Sequence, residues 1–275
     1  MFLKYKGLTL AALFSVLLFS CNSDSNRKNE EIYSKSSTIP EAPIIPYEII
    51  GQIVHDTTAF TQGLIVHNGN LIEGTGIIKQ TRISQIDTSS GKIKILKNNF
   101  GDDIFGEGIT IFKNKLYQLT YKNNLIFEYK FDNLKAPIRT FPWNKEGWGI
   151  THDSTSLIVS DGSSKLYFLN PDNMKLVKEI EVKDNLGLVD SINELEYIDN
   201  FIYANKWGSE IIYKIEPSTG NVVGKISFEG IIQRYNKSFQ YNGENVLNGI
   251  AWDQKKQELF VTGKNWPQIF KIKFN

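Results

Sequence analysis

The chain has 275 residues, 31 Lys and Arg against 30 Asp and Glu, a formal net charge of +1 and a single cysteine. The cationic residues are spread rather than clustered, which leaves no nucleic-acid footprint, and one cysteine permits no intramolecular disulfide. The length suffices for one sizeable domain with a full core.

Residues 1–20 open with Lys4 and Lys6 and an apolar run from Leu8 to Phe19, too short to span a bilayer comfortably. That pattern predicts an export signal, to be set apart from the fold. Cys21 follows directly, and Leu18-Phe19-Ser20-Cys21 resembles the bacterial lipoprotein box, in which cleavage exposes the cysteine for lipid attachment. An ordinary signal peptide with an incidental cysteine, or an uncleaved anchor, is the alternative. Residues 21–45 then read as a lipidated cysteine and a disordered tether, rich in Ser, Asn, Lys and Glu and stiffened at its end by Pro40, Pro43 and Pro46. Lipid on Cys21 would hold the protein at the cell envelope, on the periplasmic side or the outer-membrane surface, with no transmembrane helix.

Residues 46–275 are dominated by short runs of Ile, Val, Leu, Tyr and Phe separated by Asn-Gly, Asp-Asn, Ser-Gly and Thr-Gly turns, the signature of strands and hairpins. The first unit predicts strands at 64–67, 71–75, 82–87 and 92–96. The second predicts 109–112, 115–119, 125–129 and 138–141; the third 150–151, 157–160, 165–170 and 176–182. The fourth predicts 195–198, 201–204, 211–216 and 222–228. The fifth offers only 250–253, 258–262 and 269–274, one strand short, while residues 47–54 have no partner of their own. A four-stranded repeat of about 45 residues is the mark of a β-propeller. The expectation is therefore an all-β, five-bladed β-propeller of four-stranded antiparallel blades, closed by the N-terminal strand in the last blade, with an open β-solenoid as the competitor.

A frame recurs ahead of each first strand: Phe60-Thr-Gln-Gly-Leu64, Phe105-Gly-Glu-Gly-Ile109, Gly147-Trp-Gly-Ile-Thr151, Ile192-Asn-Glu-Leu-Glu196 and Leu247-Asn-Gly-Ile-Ala251. In an antiparallel meander, the residue before the first strand and the residue after the second lie at one end of the blade. Gln62, Glu107, Trp148, Asn193 and Asn248 should thus ring one mouth with Glu73, Tyr121, Asp161, Trp207 and Lys264. One carboxylate, a lysine, amides and aromatics are the mixture expected of a preformed small-ligand site. Glu107, between two glycines and beside Phe105, is placed for proton transfer near neutral pH, its alternative being a surface acid in a glycine-rich loop. Glu194 and Glu196 are expected to serve strand ends or blade contacts. His55, His67 and His152 lack the close pairing of a zinc site, and no Gly-x-Ser-x-Gly elbow or phosphate loop appears.

Taken with Glu73-Gly-Thr-Gly76, Tyr117-Gln-Leu-Thr-Tyr-Lys122, Glu146-Gly-Trp-Gly149, Ser160-Asp-Gly-Ser163 and Thr262-Gly-Lys-Asn-Trp-Pro267, these phrases resemble the plant-type glutaminyl-peptide cyclotransferases, or glutaminyl cyclases, including their bacterial members, across nearly all of residues 46–275. The resemblance implies a five-bladed propeller that converts the N-terminal glutamine of peptides or proteins to pyroglutamate with release of ammonia. It implies Glu107 as general acid and base, and Asn193 and Lys264 as polar partners that polarise the amide or steady the oxyanion, the division between them left open. Phe60, Gln62, Phe105, Tyr121, Trp148 and Trp207 would form the pocket wall and contact substrate. Tyr121 stands where the family typically has Trp. No cofactor is required by the implied chemistry; a structural calcium near the axis is implied, its ligands here unknown. A monomer is expected. The alternative function is a non-catalytic propeller that binds peptide N-termini or another small ligand.

Overall fold

The computed structural model describes residues 39–274, so Cys21, the export signal and most of the tether lie outside the described residues. Five four-stranded antiparallel sheets account for the domain. Blade 1 comprises Thr61–His67, Asn70–Thr75, Arg82–Asp87 and Ile93–Lys97; blade 2, Gly106–Phe112, Lys115–Thr120, Leu125–Lys130 and Arg139–Pro142. Blade 3 comprises Ile150–His152, Leu157–Ser160, Lys165–Leu169 and Leu176–Glu181; blade 4, Ile192–Ile198, Phe201–Lys206, Ile211–Ile215 and Val222–Ser227. Blade 5 has Leu247–Asp253, Glu258–Gly263 and Gln268–Phe274, and its outermost strand is Tyr47–Val54, paired antiparallel with Gln268–Phe274. Each first strand packs on the first strand of the next blade, and that of blade 5 packs back on that of blade 1, which closes the ring.

The hairpins use the expected turns: Asn68-Gly69, Lys113-Asn114 and Asp199-Asn200 each place two successive residues at positive φ, matching the twist of the flanking strands. Alternation buries one set of apolar residues at each blade interface. Leu64, Leu71, Ile53 and Phe260 join blades 5 and 1, for example, and Leu119, Ile126, Leu157 and Val159 join blades 2 and 3. Each such wholly buried side chain contributes about 1.5–3 kcal/mol. Two small elements were not visible in the periodicity: the hairpin Lys183–Asp184 with Gly187–Leu188, and the short helix Ile231–Tyr235. Ahead of the expected domain start, Ala42 is buried, and Ile45 N–H donates to Lys225 O at 2.7 Å, so the incoming chain covers the outer edge of blade 4.

Gln62, Glu107, Asn193 and Asn248 lie inside their first strands, not ahead of them as the sequence predicted, whereas Trp148 precedes Ile150–His152 as expected. In blades 1, 2, 4 and 5 the register shifts by one extra residue at Thr61/Gly63, Gly106/Ile109, Ile192/Leu195 and Leu247/Ile250. In blade 3 Trp148 N–H donates to Ser160 O and Ser160 N–H donates to Gly149 O, so two residues again face one. A bulge bends its strand and re-aims the side chain it carries. The glycine that follows it in the frame serves close approach: a Cβ on Gly108 would lie 2.7 Å from Trp148 O, and one on Gly149 would lie 2.1 Å from Asn193 O.

Blade 4 departs from this pattern, with Glu194 at the position where the other frames have Gly63, Gly108, Gly149 and Gly249. Its carboxyl accepts hydrogen bonds from Leu64 N–H at 3.2 Å and Ile250 N–H at 2.8 Å, tying three blades together. Two residues on, Glu196 accepts from Trp252 N–H at 2.9 Å. Both acids therefore serve blade contacts, as expected. His55, just past the closing strand, donates to Trp266 O at 2.7 Å and to Glu73 Oε1 at 2.8 Å. Burial pulls the His55 pKa down, but Glu73 outweighs it and the net shift is upward.

Burial pushes Glu196 up to about 8 from 4.5, and pushes Glu194 well above the ordinary carboxylate range. A carboxyl with a raised folded pKa binds more protons folded than unfolded between the two values, so stability falls as pH rises through that window. His55, also raised, loses its contribution in the same direction. The melting temperature is expected to fall between pH 4.5 and about 8, with a shallower slope in Glu196→Gln; thermal denaturation across that range checks it.

Candidate active site

One cavity of about 380 Å³ opens at the mouth and is lined by Phe60, Gln62, Phe105, Glu107, Tyr121, Trp148, Asn193, Trp207, Glu244 and Lys264. The nine residues that the resemblance assigned to catalysis or substrate contact are all in that set. Gln62, Glu107, Trp148 and Asn193 arrive on the bulged segments of blades 1 to 4; Tyr121, Trp207 and Lys264 follow the second strands of blades 2, 4 and 5.

Three residues predicted for the mouth are elsewhere. Asn248 lies one layer below, its Nδ2 donating to Thr61 O at 2.9 Å and to Gln62 Oε1 at 3.3 Å. Glu73 sits within its strand rather than beyond it, where it takes the His55 bond and that of Thr61 Oγ1 at 2.7 Å. Asp161 turns away toward Tyr167, whose hydroxyl donates to it at 3.0 Å. His67 is half-buried with its ring 4.4 Å from that of Phe131.

The Glu107 carboxyl is buried, and Gln62 Nε2 donates to its Oε1 at 3.2 Å. The bond from Asn248 orients the Gln62 amide so that its NH2 points at Glu107. Thr81 sets the backbone: its Oγ1 donates to Ile104 O at 3.0 Å and accepts from Gly106 N–H at 3.0 Å. Burial pushes Glu107 well above the ordinary carboxylate range; the Lys264 charge opposes the shift and Glu146 adds to it. Lys264 is itself buried, with its Nζ 4.5 Å from the Phe60 ring centroid. Burial lowers its pKa, and Glu107 works against that. The two groups thus sense each other's charge without forming an ion pair, which leaves both free to meet a ligand.

The wall is aromatic. Phe60 meets Phe105 edge-on at 6.2 Å and Phe105 meets Tyr121 at 5.7 Å. Trp148 donates from Nε1 to Glu146 at 3.1 Å, and its ring lies so close to Gly162 that a Cβ there would come within 2.6 Å. Ser160 ties two pocket segments together, accepting from Gly149 N–H at 2.7 Å and donating to Asn193 O at 2.7 Å. Asn193 Oδ1 is buried with no hydrogen-bond partner. An unpaired buried amide costs about 1–3 kcal/mol unless a ligand or water answers it, so this atom is set up for a bound group.

Glu244 is the pocket residue that the sequence reading missed. It comes from the loop between blades 4 and 5, outside the repeating frame, and only the turn Asn242-Gly-Glu-Asn245 marks its place. No group of three or more His, Cys, Asp or Glu among the described residues is placed to hold a metal, and Glu194 and Glu196 are engaged by backbone N–H donors.

The family model described as glutamine cyclotransferase matches residues 16–274. A glutaminyl-peptide cyclotransferase of Arabidopsis thaliana is 40% identical over 228 residues, covering 82% of this chain and 70% of that protein. The crystal structure of Myxococcus xanthus glutaminyl cyclase matches with a TM-score of 0.75 at 36% identity, over 86% of this chain and 99% of that one.

Lys264 is the charge that acts to lower the Glu107 pKa. In Lys264→Met, Glu107 should titrate at a higher pH than in the native protein, read from its side-chain carboxyl carbon by NMR; an unchanged midpoint would refute the electrostatic link.

Proposed function

The chain belongs to the glutamine cyclotransferase family, and from that premise we propose that the mouth pocket closes the N-terminal glutamine of a peptide or protein into pyroglutamate, with Glu107 carrying a proton between the two nitrogens. The observation that carries the reading is a buried carboxyl with a raised pKa, held by Gln62 and flanked by Lys264 and the unpaired amide of Asn193.

The reaction is intramolecular. The neutral α-amine attacks the γ-carboxamide carbon and a C–N bond forms, giving a tetrahedral oxyanion. Glu107 as carboxylate takes one proton from the attacking nitrogen and delivers it to the departing NH2. The old C–N bond then breaks, leaving the lactam and ammonia. A carboxyl whose pKa is moved toward that of an α-amine, about 7.7–8.0, shuttles this proton with less of an energy gap than a solvated glutamate would. The aromatic wall of Phe60, Phe105, Tyr121 and Trp148 favours the folded conformer in which amine and carboxamide meet, the larger share of catalysis in a ring closure. Tyr121 keeps that wall while adding a hydroxyl.

The two polar partners take separate tasks in this reading. Asn193 Oδ1, unpaired and buried, accepts from the NH2 of the γ-carboxamide and fixes its rotation. Lys264, buried and held apart from Glu107, meets the oxygen as charge develops on it.

We also propose that residues 1–20 are an export signal, that Cys21 carries lipid and that residues 21–45 tether the propeller at the bacterial cell envelope; the support is the sequence pattern alone. A monomer is proposed as the catalytic unit.

Incubation of the propeller with a glutamine-initiated dipeptide is expected to release ammonia, and Glu107→Gln should lower kcat by about 10²- to 10⁴-fold at unchanged melting temperature. A folded native protein that releases none would sink the proposal. Lys264→Met should lower kcat by about 10²- to 10³-fold with a smaller effect on KM, whereas Asn193→Ala should act mainly on KM; steady-state kinetics separate the two, and equal effects would refute the division of tasks.

A further inference from the structure

Of the ten residues lining the pocket, only Trp207 and Glu244 are exposed. They form the rim over which a peptide must leave once its first residue is inside. Trp207, 45% exposed, follows the second strand of blade 4, and its N–H donates to Ser191 O at 2.8 Å.

Glu244 sits on a braced turn. Its N–H donates to Asn242 Oδ1 at 2.9 Å, and its carbonyl accepts from Val246 N–H at 2.9 Å. The next residue is locked below: Asn245 Nδ2 donates to Gln240 O at 2.9 Å, and Trp266 Nε1 donates to Asn245 O at 2.9 Å. Lys264 N–H donates to Val246 O at 2.9 Å, which ties the turn to the strand that carries the pocket lysine. The backbone is thus fixed, yet the Glu244 carboxylate has no hydrogen-bond or ion-pair partner among the described residues. A carboxylate that senses the Lys264 charge but makes no hydrogen bond or ion pair among the described residues, on a rigid turn and on the same rim as an exposed indole, matches one class of side chain. A cation is attracted both to an indole face and to a carboxylate.

We propose that Trp207 and Glu244 form a subsite for a cationic side chain at the second residue of the substrate, so that glutamine followed by lysine or arginine is preferred over glutamine followed by an acid. The inference rests on the N-terminal glutamine reading above. The buried Lys264 lies inward of the rim and would repel a cation that entered the pocket itself, which confines the preference to the residue outside. Glu146, the other acid near the pocket, is occupied by the Trp148 indole.

The test compares Gln-Lys-amide with Gln-Glu-amide, both free of a C-terminal charge. The ratio of their kcat/KM values is expected to favour the lysyl peptide by roughly three- to tenfold at low salt, to shrink as salt rises, to approach one in Glu244→Gln and to invert in Glu244→Lys. Trp207→Leu should reduce the ratio without inverting it. A native ratio near one overturns the subsite, as does an equal loss on both peptides in Glu244→Gln, which would mark Glu244 as acting on Lys264 rather than on substrate. If neither peptide yields ammonia, the cyclisation reading fails. The subsite is then decided by quenching of tryptophan fluorescence with the same two peptides, where tighter binding of the lysyl peptide upholds it and equal affinities overturn it.

Discussion

The molecule is organised by how closely its five first strands approach one another around the axis. Between blades 2, 3 and 4 the backbones come so near that a methyl group at Gly108 or Gly149 would collide with a neighbouring carbonyl. A strand forced that close cannot keep a regular pleat and also direct a functional side chain outward. The extra residue in each strand resolves the conflict: the bulge absorbs the curvature, the glycine makes the contact, and the side chain before it is delivered to the mouth or, at Asn248, to the layer beneath it. Glu194 takes the axial space that the glycines leave and satisfies two N–H groups from blades 1 and 5. The tight centre and the pocket are therefore two faces of one constraint.

The pocket's electrostatics follow from the same crowding. Glu107 is held at a bulge with little water around it, so its neutral form is favoured. Lys264 is near enough to temper that preference and too far to neutralise the acid in a bond. Had the two met directly, both would be spent on each other; had they been fully apart, the carboxyl would hold its proton too firmly to exchange it. The separation comes from their placement on blades 2 and 5, with Gln62 of blade 1 between them in the ring.

Much of this was legible in the residues. Strand alternation, Asn-Gly turns and the one strand missing from the last unit, which left residues 47–54 as the closing strand, are local signals that tertiary packing did not override. The frame also marked Gln62, Glu107, Trp148 and Asn193, because equivalent positions in a rotational repeat must share one end. What could not be read was the bulge, since periodicity shows which residues alternate and not where one extra residue has been inserted. For the same reason Asn248 was expected beside Gln62 when it lies beneath it, and Asp161 was expected to face inward although its turn directs it to Tyr167. Glu244 escaped because it belongs to no repeat, and His55 with Glu73 escaped because a buried pair across distant segments leaves no mark on either one.

The closing strand carries a last consequence, one of timing. Tyr47–Val54 pairs with Gln268–Phe274, the longest sequence separation among the strand pairings of the domain, and the pocket draws Gln62 from the first blade and Lys264 from the last. A partial chain can form individual blades, since each of blades 1 to 4 is a meander of local hairpins, but the pocket is incomplete until the two ends of the domain meet. Contacts of that span form slowly because the loop they close is the largest available. Glu107 and Lys264, on blades 2 and 5, are thus joined in one pocket only when the ring closes.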